Sequence, residues 1–449
     1  MEKKAHVAVF PFPFGSHPTA LLHLVQRLAA AAPAVQFSYF NTTNSNQKVF
    51  SKMNLNGYDN IRSYNIDDGV PEGHVFSGNP VEAIELFIKA TPLNFRKRLE
   101  ELVEATGLKV TCLLTDAFLG FSADIAEEMG IPWVAFWTAG PTALSLHMYF
   151  DLIHRNLGLT GRTQNSEQTL DFLPGMSAIR ASDLPEELQS LDKPDRPFSY
   201  LLQTMGLVVR RSSTVVLNSF DGIDPLVTAD LKSKLKKVLN IGPFSLPPCQ
   251  DQSGCLSWLD RHNAASVAYI SFGSMLTPPP NELAALAEAL EEKKVPYLWS
   301  FREDLKGHLL EGFFKRTSSR GKVVAWAPQS QILAHSSVGV FITHCGWNSM
   351  VESITGGVPM ICRPFFGDQM INRRILADVW QIGIGLEGDV FAKAGTMNAL
   401  DIVLSKENWN KMRENIGVFK ESATKAVAPN GSSTENFKSF IDIVINISS

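Results

Sequence analysis

The sequence predicts an α/β protein built from two parallel-sheet domains. Three observations carry this. Short apolar runs alternate with longer helical patterns over most of the 449 residues. The rhythm stalls once, at Pro243-Phe244-Ser245-Leu246-Pro247-Pro248 running into Gln250-Asp251-Gln252-Ser253-Gly254, which is turn and linker chemistry. It then restarts and continues to the C-terminus. At roughly 100–200 residues per domain, two or three domains are expected for this length.

In chain order, residues 5–10 read as a buried strand. A helix over 18–32 follows, with Pro18 in its first turn, where a missing N–H costs nothing. Residues 35–39, 110–114 and 133–137 read as further strands. Beyond the stall, strands are expected at 266–271, 297–301, 322–326, 338–343 and 358–363. Helices are expected at 281–292 and 434–445. The domain assignment is 1–243, a linker at 244–254, 255–433, and a last helix in 434–449. No sequence repeat is present.

Composition excludes several classes. Apolar residues make up 45% and charged residues 19%, too apolar for disorder. A net charge of -4, without a basic block, excludes a nucleic-acid surface. Arg96-Lys97-Arg98 lies in a helical pattern and reads as a solvated face. No run of 18 apolar residues and no signal peptide is seen, so neither membrane insertion nor secretion is expected. The five cysteines, odd in number and without Cys-x-x-Cys, fit reduced thiols and a cytoplasmic location.

In an open parallel sheet, ligands bind beyond the carboxyl ends of the strands, so the residues after each strand are the candidates. Phe14-Gly15-Ser16-His17-Pro18 follows the first. His17 at a helix start is biased toward the neutral, proton-accepting ring by the helix dipole. Asp116 follows the strand 110–114 and is placed to hold the other ring nitrogen. His17 taken alone also fits a capping or packing histidine. After 338–343 come His344-Cys345-Gly346-Trp347-Asn348-Ser349 and a helix running through Glu352, an arrangement that suits a phosphate. After 358–363 come Phe365-Phe366-Gly367-Asp368-Gln369, whose acid and amide suit vicinal sugar hydroxyls and equally fit a solvated turn. Trp326, before Ala327-Pro328-Gln329, reads either as core or as a platform for a nucleobase.

Trp326 through Gln369 reads WAPQSQILAHSSVGVFITHCGWNSMVESITGGVPMICRPFFGDQ, an unbroken stretch of 44 residues. It resembles the signature box of plant family 1 UDP-dependent glycosyltransferases. The likeness extends to the Gly15-Ser16-His17 start, Ser271-Phe272-Gly273-Ser274, Asn218-Ser219-Phe220-Asp221 and Cys255-Leu256-Ser257-Trp258-Leu259-Asp260. It implies the GT-B fold: two Rossmann-like domains facing across a cleft, with the last helix crossing back to the first domain.

The resemblance also implies roles. Trp326 stacks on uracil, with the Ala327 backbone on its edge. Gln329 and Glu352 hold the ribose. His344, Asn348 and Ser349, helped by Ser274, hold the diphosphate. Trp347, Asp368 and Gln369 contact the sugar, and Thr138 reaches the diphosphate or sugar from the N-terminal domain. His17 and Asp116 match the catalytic pair. A terminal Gln in the box resembles glucose-preferring members, a His there being associated with galactose. The N-terminal half, through Asp68-Gly69-Val70-Pro71-Glu72-Gly73-His74 and Phe172-Leu173-Pro174-Gly175, most resembles flavonoid (anthocyanidin and flavonol) 3-O-glucosyltransferases. Phe14, Phe118 and Phe366 are candidates to sandwich a flat polyphenol. His147 matches a position that contacts the flavonoid.

The expectation is thus an inverting, metal-independent monomeric enzyme that binds a UDP-sugar and a flavonoid-type acceptor, with no further cofactor. Galactose or rhamnose as donor, and other phenolic or terpenoid acceptors, are the alternatives. No Asp-x-Asp, His-Glu-x-x-His or paired-cysteine cluster is present to hold a metal. The turn after the first strand lacks the Gly-x-Gly-x-x-Gly of a nicotinamide dehydrogenase. Gly-x-Ser-x-Gly, the serine hydrolase motif, is absent. A non-catalytic binder would have no use for His17 and Asp116.

Overall fold

The computed structural model describes residues 5–51, 57–79, 81–158, 167–189, 197–244, 250–273, 277–301, 307, 309 and 312–445. The chain divides into two compact units. Unit 1 comprises Met1–Gln164, Glu187–Phe244 and Val427–Ser449; unit 2 comprises Asn165–Glu186 and Ser245–Ala426.

Unit 1 holds seven strands: β1 (His6–Phe10), β2 (Gln36–Thr42), β3 (Ile61–Ile66), β4 (Cys112–Asp116), β5 (Trp133–Trp137), β6 (Thr214–Leu217) and β7 (Val238–Asn240). They form one sheet in the order β3-β2-β1-β4-β5-β6-β7, and every pairing is parallel. Parallel strands need crossovers, and crossover helices cover both faces, so the central strands are apolar throughout rather than alternating. Accordingly β1, β4 and β5 are buried along their whole length. Edge strand β3 is half exposed, with the polar sequence IRSYNI, and gives no apolar run to read.

The helix His17–Ala31 leaves β1 and buries Leu21, Leu24, Val25 and Leu28 on the sheet. The helix Ser432–Ile445, at the other end of the chain, adds Phe440 and Val444 to that core. Asn436 donates to the Asn240 carbonyl at 2.9 Å, and the Arg27 guanidinium lies over the Phe437 ring at 4.5 Å. This end of the chain therefore belongs with the first unit.

Unit 2 repeats the scheme with six strands: β8 (Val267–Ser271), β9 (Tyr297–Ser300), β10 (Gly321–Val324), β11 (Val338–Thr343), β12 (Met360–Cys362) and β13 (Gly383–Gly385). Their order is β10-β9-β8-β11-β12-β13, again all parallel. Its core gathers Ile270, Leu286, Leu290, Trp299, Ile342 and Leu400.

The segment Asn165–Glu186, read from sequence as part of 1–243, packs with unit 2. Asp183 forms a two-point pair with Arg374, 2.7 and 3.0 Å, which fixes its end of that segment. Residues 245–249 of the expected linker lie outside the described residues.

Phe440 is fully buried in a helix far in sequence from the sheet it covers. Phe440→Ala is expected to cost about 3–5 kcal/mol, read as a lowered urea or thermal midpoint. An unchanged midpoint would show that the helix does not support the core.

Candidate functional site

Both sheets reverse their winding beside their first strand, between β1 and β4 in unit 1 and between β8 and β11 in unit 2. At such a point the two flanking loops diverge to opposite faces and leave a crevice at the strand ends. His17 and Asp116 flank the reversal point of unit 1 and His344 that of unit 2, while Trp326–Gln329 follow β10 and Asp368–Gln369 follow β12.

In unit 1, His17 is the first residue of the helix after β1, and Asp116 is the last residue of β4. Asp116 thus stands in the strand, not after it. His17 Nδ1 lies 2.7 Å from Asp116 Oδ2. The Phe118 N–H donates to the other carboxylate oxygen at 3.0 Å. A carboxylate only accepts, so Nδ1 carries the proton and the neutral ring presents a bare lone pair at Nε2. Among the described residues no hydrogen bond reaches Nε2. Asp116 is 0% exposed while the His17 side chain is 20% exposed, so the anchor is dry and the ring is reachable. The Thr138 hydroxyl also sits on Nδ1, at 3.2 Å; in this unit its partner is the histidine.

Aromatic rings surround that imidazole. Phe118 and Phe12 meet it edge-on at 4.9 and 5.4 Å. Phe14 packs on Phe12 at 5.1 Å, and Phe198 stacks parallel to Phe12 at 6.4 Å. Phe14 and Phe118 are therefore at the site. Phe12 and Phe198 were not picked out from sequence, although Phe12 stands in the same Phe-Pro-Phe stretch as Phe14. His147 lies one ring further back, against Trp137 at 5.6 Å, which in turn touches Phe118. Its Nδ1–H donates to the Leu202 carbonyl at 2.8 Å, and burial pulls its pKa down to about 4.

In unit 2, the loop after β11 turns sharply into the helix Trp347–Gly356. Cys345 takes the left-handed conformation (φ 62°), which is rare for a non-glycine residue and concentrates at functional loops. The His344 ring is boxed in by two glycines. A Cβ at Gly346 would sit 2.5 Å from its Nε2, and one at Gly273, itself at φ +75°, would sit 3.0 Å from the ring. Burial lowers the His344 pKa to about 4, opposed by the Ser271 carbonyl, so it meets an anion as a neutral ring. No side chain caps the helix at Gly346, which suits its N-terminus to an anionic ligand.

Gln329 and Glu352 meet: the Gln329 amide donates to Glu352 Oε2 at 2.6 Å and to the Ser349 hydroxyl at 3.0 Å. The Tyr269 hydroxyl donates to Gln329 Oε1 at 3.1 Å and so fixes which way that amide faces. Nothing in the sequence singled out Tyr269, a residue in the middle of an apolar strand. Burial raises the Glu352 pKa to about 7, against the lowering effect of the Gln329 amide.

Trp326 lies beyond the end of β10 and is 50% exposed, so it is not core. Ala327 beside it is buried. Gln369 accepts from the Phe365 and Phe366 N–H groups at 2.9 and 3.4 Å, and Asp368 accepts from Asn372. Trp347 is buried, whereas Phe366 is 49% exposed in this same unit. Asn348 is half-buried in the first turn of the helix Trp347–Gly356. Ser274 lies outside the described residues. Among the described residues, no group of three or more His, Cys, Asp or Glu is placed to hold a metal, and no helix is long and apolar enough to cross a membrane.

Two doubly wound parallel units, one carrying an acid-anchored histidine and the other a glycine-flanked histidine at an uncapped helix start and an exposed tryptophan, fit a glycosyltransferase of the GT-B class. Residues 250–420 match the family described as UDP-glucoronosyl and UDP-glucosyl transferase. A flavonol 3-O-glucosyltransferase of Actinidia chinensis var. chinensis is 53% identical over 446 residues, covering 98% of this chain and 97% of that protein. An anthocyanidin 3-O-glucosyltransferase of Vitis vinifera is 50% identical over 448 residues, with the same coverage. The crystal structure of a UDP-glucose: anthocyanidin 3-O-glucosyltransferase in complex with UDP superposes with a TM-score of 0.92 at 44% identity, covering 99% of each chain. The chain belongs to the UDP-glucoronosyl and UDP-glucosyl transferase family and is a UDP-glycosyltransferase.

A buried carboxyl with a raised pKa holds extra protons in the folded state. Between about 4.5 and 7 the unfolded Glu352 is ionised while the folded one stays protonated, so this group's contribution to stability falls as pH rises through that window. Glu352→Gln is expected to flatten the pH dependence of the thermal midpoint there. Parallel curves for the two proteins would contradict a raised Glu352.

Proposed function

We propose that this enzyme transfers glucose from UDP-glucose to the 3-hydroxyl of a flavonoid, by a single inverting displacement without a metal ion. One observation carries the mechanism: the His17–Asp116 hydrogen bond, which fixes the Nδ1–H tautomer and leaves Nε2 as the acceptor. The acceptor hydroxyl gives its proton to Nε2 as its oxygen attacks the anomeric carbon. The C–O bond to the diphosphate breaks, and UDP leaves from the opposite face. An α-linked donor thus gives a β-glycoside. Asp116, held dry and hydrogen-bonded, stabilises the imidazolium that forms.

On the donor side, Trp326 provides a stacking face for uracil and Ala327 a backbone edge. Gln329 and Glu352 take the ribose hydroxyls. Neutral His344 and the helix N-terminus at Trp347–Ser349 stabilise the charge developing on the leaving diphosphate. Trp347, Asp368 and Gln369 take the sugar hydroxyls, with Gln369 favouring glucose. Thr138 steadies the His17 ring and reaches toward the donor. The rings of Phe14 and Phe118, joined by Phe12 and Phe198, suit a flat polyphenol. Acceptor contacts by His147 and Phe366 belong to the same proposal. The names of the relatives at about half identity support the flavonoid as acceptor class.

The test is incubation with UDP-glucose and a flavonol in EDTA, followed by mass spectrometry with the product position assigned. A 3-O-β-hexoside and stoichiometric UDP are expected. No product in EDTA, with product on adding a divalent ion, would remove the metal-free step; UDP-galactose outrunning UDP-glucose would reassign the donor. His17→Ala is expected to lower kcat by about 10²–10⁴-fold while UDP affinity, measured by calorimetry, stays unchanged. Undiminished turnover in that variant would refute the base assignment.

A further inference from the structure

Asn372 stands one turn into the helix Gln369–Arg374, 2% exposed. Its side-chain amide donates twice: to the Cys345 carbonyl at 2.9 Å and to Asp368 Oδ2 at 2.9 Å. Both partners are acceptors, so only one orientation of the amide is possible. Cys345 belongs to the loop after β11, between His344 and Gly346, in the left-handed conformation that lets the chain turn into the next helix. Asp368 is the residue before the helix Gln369–Arg374, without a side-chain cap, and follows β12. One buried amide thus ties the loop assigned to the diphosphate to the carboxylate assigned to the sugar.

We propose that Asn372 is a positioning residue for the transferred sugar. It fixes the spacing between the anion-binding loop and the Asp368 carboxylate, and so where the anomeric carbon sits relative to the leaving diphosphate. The proposal rests on the donor-site reading above. Within its own short segment Asp368 is held at two points, its carbonyl accepting from the Asn372 N–H at 2.9 Å and its Oδ2 from the Asn372 amide, while neighbouring Gln369 locks the Phe365–Phe366 backbone. Of these contacts, only the Asn372 amide also reaches the loop after β11. Losing it removes one anchor of the carboxylate together with the bridge to the loop, so the carboxylate's direction toward the sugar hydroxyls is less firmly set. UDP lacks the sugar, so the effect of losing this link is selective for the intact donor.

The test compares UDP and UDP-glucose on the full chain. Asn372→Asp replaces both donors by acceptors and sets a carboxylate against Asp368. Asn372→Ala removes the amide but leaves room for water, so it keeps the question open if the first variant does not fold. Loss of a buried hydrogen bond to a charged group corresponds to about 10- to 100-fold in binding. The dissociation constant for UDP-glucose is expected to rise by about that factor relative to that for UDP, with kcat/KM falling in step. In Asn372→Asp the loss should shrink as pH is lowered and the new carboxyl becomes a donor, a signature that general destabilisation does not produce. Equal weakening of UDP and UDP-glucose in both variants, or no weakening of either, would overturn the proposal. A wild-type chain that binds UDP-glucose no better than it binds glucose would instead overturn the donor-site reading on which it depends.

Discussion

An all-parallel sheet must be covered on both faces, and each crossover returns the chain to the same end of the strands. All strands then end on one side, and where the winding reverses the connecting loops part. This constraint places the central candidates of both units. In unit 1 it brings the start of the helix after β1 beside the end of β4, 99 residues further on, and so lets His17 reach Asp116. In unit 2 the same winding sets Gly273, after β8, against His344, after β11.

The two crevices are tuned in different ways. In unit 1 a dry carboxylate orients a ring that stays reachable, which on the proposed mechanism separates the stabilising charge from the proton-accepting atom. In unit 2 burial disfavours the charged forms of His344, pushed down to about 4, and of Glu352, pushed up to about 7. On the proposed function, neutral donors, glycine backbone and a helix end would receive the diphosphate without first burying a full cation, and would act on the charge that grows as it leaves.

Much of this was legible in the sequence because its signals are local. The buried central strands are continuous apolar runs, and Pro18 and the Gly-Ser-His turn mark a helix start. Trp326 to Gln369 is contiguous, so the loop after β11, the helix that follows and the sugar loop could be placed together. Of the strands that were missed, β6 is a short apolar run and the others carry weak local signals. β3 is a polar edge strand, and β7 and β13 are three residues each. Trp326 seemed as fit for core as for surface until the strand was seen to stop at Val324. Tyr269 reads as a plain strand residue and nothing in the sequence singles out Asn372, since what they do depends on acceptors 60 and 27 positions away.

The sequence alone determined the fold class, the family and the chemical types at each strand end, because periodicity, turn chemistry and a contiguous signature are properties of neighbouring residues. The return of the C-terminal helix to unit 1 was already implied by the resemblance, whereas only the tertiary structure decided that Asn165–Glu186 packs in unit 2. It alone also decided which way each side chain is held: the Nδ1–H tautomer of His17, the facing of the Gln329 amide, and the double grip of Asn372. Those outcomes are set by hydrogen-bond partners distant in the chain, and a partner brought in by folding leaves no mark on the residues beside it in sequence.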